Sequence, residues 1–243
     1  LNSLIEKGVF SIFEDEISRI EHFEKEDLIV FDLSPAQHQA FSQIKTNFEE
    51  KDVALLHGVT SSGKTEIYIK LIREAIDKGQ QVLYLLPEIA LTTQIINRLR
   101  KHFGDLVGVY HSKFNNNERA EIWNEVQHSG RFPVVIGTRS SIFLPFSNLG
   151  LIIVDEEHEN TFKQQQPSPR YNARDTVIKY AQLLNAKVLL ASATPSVESY
   201  HNALLDKYAL VELNERYGGV NMPEIDIEDI KYVTHRKQMK GAF

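Results

Sequence analysis

Cysteine is absent from this sequence, which removes disulfides, thiol nucleophiles and any Cys-ligated zinc or iron–sulfur centre from it. Long apolar runs are absent too: nothing approaches the roughly 20 residues that cross a bilayer, and the first residues lack the basic-then-apolar order of a signal peptide. A cytoplasmic chain with no membrane partner is the expectation. Excess basic charge is also missing, since 27 Lys and Arg face 33 Asp and Glu for a formal net charge of −6. That balance does not exclude nucleic acid, because a polynucleotide is held by a local basic and aromatic surface that an acidic whole can carry. There are no repeats and no low-complexity tracts, which excludes solenoid and fibrous architectures.

What is present is ordinary for a soluble α/β protein: 42% apolar and 25% charged residues over 243 positions, enough for one large domain or two small ones. The opening LNSLIEKGVFSIFEDE reads as the end of a short helix stopped near Gly8 and a β-like step too small for its own core. Glu14 to Asp27 form an acidic connector, with a boundary near Phe31. From Leu33 onward short apolar runs alternate with helical spacing. The runs VALLH (53–57), QVLYLLP (81–87), LVGVY (106–110), PVVIGT (133–138), LIIVDE (151–156) and KVLLAS (187–192) lack strict alternation, as expected of strands buried on both faces. Helical spacing occupies about 65–78, 92–103, 117–128 and 173–185. Together these predict a mainly parallel sheet with helices on both faces. Trp123 and the apolar positions of the 117–128 helix are expected in the core. One long polar interruption, EHENTFKQQQPSPRYN (157–172), cannot continue a helix through its prolines, and loops of that length usually have a task.

The segment GVTSSGKT (58–65) follows one strand run and opens one helix pattern, the setting of a phosphate-binding P-loop. Gly58 and Gly63 let the backbone curl, and the N–H groups of Thr60, Ser61, Ser62 and Gly63 then point at phosphate oxygens. Lys64 brings charge to the β- and γ-phosphates, and Thr65 offers a hydroxyl to Mg²⁺. The second carboxylate that such a site needs stands in LIIVDEEH: Asp155 at the strand end for Mg²⁺, and Glu156 as general base, chosen over Glu157 by motif position. SATP at 192–195 follows another strand. Ser192 and Thr194 there are candidates to sense the γ-phosphate, while Thr194 and Pro195 also fit N-cap and N1 of the next helix. Upstream, Gln37 in LSPAQ presents a carboxamide able to pair with adenine.

Gln37, GVTSSGKT, LLPEIALTTQ (85–94), YHSK (110–113), GTRSSIF (137–143), DEEH (155–158) and SATPS (192–196), in that order, resemble the first motor lobe of superfamily 2 helicases. Within that group the match is to the PriA family of replication-restart DNA helicases, whose P-loop reads GVTGSGKTE and whose next strand is followed by PEIxLT. The resemblance covers about 33–215 and implies a RecA-like P-loop lobe using ATP and Mg²⁺, with Lys64, Asp155 and Glu156 catalytic and His158, Ser192 and Thr194 coupling the site to motion. It places Thr138, Arg139 and Ser140 on the DNA-facing side. The 157–174 loop resembles an aromatic-rich loop in which Phe162, Lys163, Arg170, Tyr171 and Arg174 supply stacking faces and charge. Some relatives carry Trp where this chain has Pro169.

The same resemblance implies 3′-to-5′ movement on single-stranded and forked DNA, with single-strand binding protein and primosome proteins as partners of the complete enzyme. It reads 1–32 as a winged-helix remnant and linker, 33–215 as lobe 1 and 216–243 as a connector to a second lobe. Zinc is expected only in a Cys-rich part outside this chain. An arginine from the second lobe, worth about 10³–10⁵ in rate, is expected to complete the ATP site. The rival readings are another superfamily 2 DNA translocase and a P-loop kinase or nucleotide-binding module without helicase activity.

Overall fold

The computed structural model describes residues 32–111 and 114–217. The expected winged-helix remnant and the segment NMPEIDIEDI (221–230) lie outside the described residues. Helix α1 (Pro35–Glu50) starts at Ser34, whose hydroxyl accepts from Gln37 N while the Gln37 carboxamide accepts from Ser34 N, a reciprocal cap with Pro35 at the first helical position. Strand β1 (Val53–Gly58) leads into helix α2 (Lys64–Asp77), and β2 (Gln81–Leu85) into α3 (Thr93–Phe103). Next come β3 (Val107–Tyr110), α4 (Asn116–Asn124), β4 (Val134–Gly137) and β5 (Leu149–Asp155). A two-stranded hairpin, β6 (Lys163–Gln164) with β7 (Tyr171–Asn172), precedes α5 (Ala173–Leu184), β8 (Lys187–Ser192), α6 (Val197–Leu204) and β9 (Ala209–Leu213).

Among the described residues seven strands form one sheet in the order β3-β4-β2-β5-β8-β1-β9, and every pairing in it is parallel. Period-two alternation divides the strand side chains between two cores. Leu56, Tyr84, Ile136, Ile153 and Leu189 face one side, with Ile44, Ile67, Tyr68, Ile72 and Leu99 of α1, α2 and α3. Leu55, Leu83, Val135, Ile152 and Leu190 face the other, with Ile122, Phe162, Val177 and Ala181 beneath α4 and α5. Both faces are dry, which is why the strands read as continuous apolar runs. Each fully buried Val, Leu or Ile contributes about 1.5–3 kcal/mol by removal from water.

Two sequence expectations are corrected. Trp123 is 40% exposed, and its neighbours Ile122 and Val126 fill the core instead. Strand β9 was not anticipated: it pairs with β1 at the sheet edge, and its alternating ALVEL, with Glu212 outward, lacks the apolar run that marked the inner strands.

Candidate functional site

The strands end at one edge of the sheet with their functional segments side by side. β1 delivers the P-loop, β5 delivers Asp155, and β8 lies between them with Ala191 and Ser192. Side chains that small let the β8 end pass close to both, and the crevice beyond the carboxyl ends of parallel strands is the usual ligand site of such sheets. A cleft of about 360 Å³ opens there, lined by Thr60 to Glu66, Asp155, Glu156, Arg98 and Tyr217. Of the residues expected to hold nucleotide or metal, only Gly58 and Gln37 are absent from its lining.

Around the P-loop the backbone bends as the ligand chemistry demands. Gly63 has φ 80 at the N-cap of α2, and a Cβ there would run into the Gln37 carboxamide. Ser61 takes φ 64, a conformation that costs a side-chain-bearing residue about 1–2 kcal/mol. Ser62 is buried with a hydroxyl oxygen that has no partner among the described residues. Lys64 Nζ donates to Gly58 O at 2.8 Å, which holds the ammonium over the loop.

Gln37 is engaged by the chain itself. Its Oε1 accepts from Ser34 N at 2.8 Å, while Nε2 donates to Ser62 O at 3.1 Å and Gly63 O at 3.3 Å. Both ends of the carboxamide are engaged within the chain and the residue is 1% exposed, so here it braces the P-loop rather than presenting an edge to adenine.

Asp155 is held by groups that the sequence did not single out. Tyr68 of α2 donates to Oδ1 and Tyr84 of β2 to Oδ2, each at 3.0 Å, and Glu156 N donates to Oδ1 at 3.1 Å. Burial pushes the Asp155 carboxyl above the usual carboxylate range, against the downward pull of the two phenols and of Lys64. The same burial and the Asp155 charge raise both phenols. Glu156, in the strained φ 50 conformation, points into the cleft and is also raised, first by burial and then by the negative charge of Asp155.

Glu157 stands apart from Glu156 although it is the next residue. Its side chain is fully buried, and it accepts from Arg174 at 3.1 Å, Ser196 N at 2.6 Å, Ser196 Oγ at 2.9 Å and Ser199 Oγ at 2.8 Å. It is absent from the cleft lining. Ser196, not Thr194, caps α6, with its hydroxyl accepting from Ser199 N. His158 and Ser192 meet: His158 Nδ1 lies 2.8 Å from Ser192 Oγ, which also accepts from Thr194 N at 2.9 Å. The Thr194 side chain is exposed.

The residues expected on a DNA face are divided. Lys163 and Arg170 are exposed on the hairpin, and Ser140 is half-buried. Phe162 is 1% exposed inside the core, and Thr138 and Arg174 are buried, the latter with its guanidinium taken up by Glu157, so none of the three offers a surface. Arg139 donates to Thr161 O at 3.0 Å and ties the strand-to-turn segment to the loop. Tyr171 packs its ring edge-on against Phe143, centroids 5.2 Å apart, and Phe143 is an exposed aromatic that the sequence pattern left unmarked. Its position beside Ile142, after two serines, gave no sign of exposure.

Comparison with known proteins bears on the whole arrangement. The chain is similar to the replication restart protein PriA of Bacillus subtilis (strain 168), 40% identical over 95% of this chain and 29% of the relative. It is 48% identical to that of Chlamydia muridarum over 83% of this chain and 26% of the relative. It therefore spans less than a third of these relatives' length. A solved structure of RecG bound to a three-way DNA junction superposes on 79% of the chain and covers 25% of that protein, with a TM-score of 0.59 and 25% identity. The sequence profile of the DEAD/DEAH box helicase family matches residues 34–203, the stretch from the N-cap of α1 through most of α6. With a P-loop and the Asp155 and Glu156 that open DEEH meeting in one cleft, the chain belongs to the DEAD/DEAH box helicases.

Proposed function

We propose that this lobe binds ATP with Mg²⁺ and, within the longer protein that carries it, powers a 3′-to-5′ DNA helicase that acts at replication restart. The convergence of Lys64, Thr65, Asp155 and Glu156 on one cleft is the observation that carries the reading. Hard oxygen donors, the Thr65 hydroxyl and the Asp155 carboxylate, flank the Lys64 ammonium, a set suited to a magnesium–phosphate complex whose other ligands are phosphate and water. Bound there, the metal would neutralise charge on the phosphates and help orient them.

The chain's own residues divide the remaining work. P-loop N–H groups and Lys64 would cradle the phosphates. Glu156 would take a proton from the attacking water, and its raised pKa suits a base of that kind. Glu157 would not: its carboxylate is used by Arg174, Ser196 and Ser199. Those bonds supply a route between ligands. α5 begins where β7 of the hairpin ends, and Arg174 in its first turn grips Glu157, one peptide from Glu156. Lys163 and Arg170, with Phe143 and Tyr171 beside them, would meet single-stranded or forked DNA through phosphate contact and stacking. Arg139 would act by fixing the loop. Single-strand binding protein and primosome proteins are the proposed partners of the complete enzyme.

Calorimetry of the chain with ATP, with and without Mg²⁺, tests the central claim. Mg²⁺-dependent binding that Lys64→Ala abolishes supports it. A well-folded chain, with its second lobe restored, that binds no nucleotide overturns it. Hydrolysis by the longer protein, stimulated by DNA with a 3′ single-stranded tail, tests the helicase assignment.

A further inference from the structure

We propose that Tyr68 and Tyr84 are positioning residues for Asp155, two phenols that leave one carboxylate lone pair free toward the metal's hydration shell and so set the affinity and selectivity of the site for Mg²⁺. The inference rests on the nucleotide-site reading above. A carboxylate has about four lone-pair sites, two on each oxygen. On Asp155, Oδ1 accepts from Tyr68 Oη at 3.0 Å and from Glu156 N at 3.1 Å, which fills it. Oδ2 accepts from Tyr84 Oη at 3.0 Å and, among the described residues, keeps a single open site.

Both tyrosines are fully buried, one from the helix that follows the P-loop and one from the strand beside β5, and their rings meet edge-on at 5.7 Å. Neither phenol can swing without opening the core, so the carboxylate is fixed from two elements at once. A carboxylate free to turn offers both oxygens and suits Ca²⁺, which tolerates bidentate, irregular shells. One with a single fixed lone pair suits Mg²⁺, which keeps its waters and demands near-octahedral order. Phenol donation also draws electron density from the carboxylate and weakens it as an acceptor. Orientation outweighs that loss, because removing hydrogen-bond partners of metal-site groups typically costs about 10–100-fold in metal affinity.

Tyr→Phe variants delete only the hydroxyl and keep the buried ring. The experiment titrates Mg²⁺, Mn²⁺ and Ca²⁺ into a fluorescent ATP analogue mixed with wild type, Tyr68→Phe, Tyr84→Phe or Asp155→Asn, with metal-free nucleotide affinity in EDTA as the reference and thermal melting as the fold check. Each phenylalanine variant is expected to raise the Mg²⁺ midpoint by about tenfold, to narrow the preference for Mg²⁺ over Ca²⁺, and to leave the EDTA affinity unchanged. If Asp155→Asn moves the midpoint while both phenylalanine variants match wild type, the clamp is rejected and the nucleotide site stands. If Asp155→Asn also leaves it unmoved, the site reading fails and takes the clamp with it. Loss of folding in one variant leaves the other to decide, since each tyrosine holds a different oxygen.

Discussion

The cleft at the ends of β1 and β5 was read from residue spacing and the face formed by the hairpin and residues 139–143 from a family resemblance, and the two differ in how much of what was expected reaches the surface. In the cleft, residues from Thr60 to Thr65 line one space with Asp155 and Glu156. On the hairpin face, Phe162 and Thr138 are buried, Arg139 is tied to Thr161 O, and the exposed aromatic is Phe143. A phosphate is held by backbone N–H groups and a few charges within one turn of chain, so spacing along the sequence nearly specifies the geometry. A polymer is held by exposed surface, and exposure is decided by what packs behind each residue.

The sharpest test of the contrast lies within the cleft, between adjacent glutamates. Glu156→Gln in the intact enzyme is expected to spare ATP binding and reduce turnover by about 10²–10⁴-fold, the range of a lost general base. Glu157→Gln is expected to act on the fold instead, because it leaves Arg174 buried with part of its charge uncompensated. Breaking such a pair costs about 3–5 kcal/mol, read as a lowered denaturation midpoint. Retained turnover in Glu156→Gln would break the assignment.

Phe162 carries the comparison to the other region. If it is core, as its 1% exposure says, Phe162→Ala should cost about 3–5 kcal/mol of stability. Stability unchanged with weakened DNA binding would reverse the two regions' lesson. Asp155 offers a pH test in the cleft. Its folded-state pKa is raised, so the unfolded chain ionises first as pH climbs, and the stability present below the ordinary carboxylate range is lost as pH rises through the folded value. Asp155→Asn should therefore match wild type in acid and melt higher near neutrality, by about 2–4 °C for each kcal/mol released.

How much was legible follows the same line. Six of the seven sheet strands were visible because burial on both faces makes their runs continuously apolar, as in LIIV and VLLA; β9, half-exposed at the edge, had no such run. Lys64 and Asp155 were visible because each sits at a fixed offset from a strand end. Tyr68 and Tyr84 were not, since an aromatic at a core position looks the same whether or not its hydroxyl reaches a carboxylate. The pairing of Arg174 with Glu157 was hidden likewise: 17 residues apart, they meet only because the hairpin folds back. Gln37 was legible as a residue but its partners within the chain were not, because the same carboxamide that suits adenine also suits a helix cap and two P-loop carbonyls.

On the exposed side, Arg170→Ala should weaken single-stranded DNA binding modestly and reduce the slope of log affinity against log salt by about 0.7, the share of one released counterion. An unchanged slope would remove Arg170 from the DNA face.

The smallest effect tests how far the cleft's backbone is shaped by its ligand. Ser61 occupies the left-handed region at φ 64, where the related P-loop pattern GVTGSGKTE has glycine. A Cβ in that conformation costs about 1–2 kcal/mol, and a glycine returns part of that through the greater entropy of its unfolded chain, about 0.4–1 kcal/mol. Ser61→Gly should thus stabilise the chain by at most about 1 kcal/mol, visible as a small rise in denaturation midpoint. Nucleotide affinity should hold, because the loop contacts phosphate through N–H groups that both residues possess. If affinity falls instead, the Ser61 hydroxyl is itself a ligand contact, and the strain is retained for binding rather than tolerated.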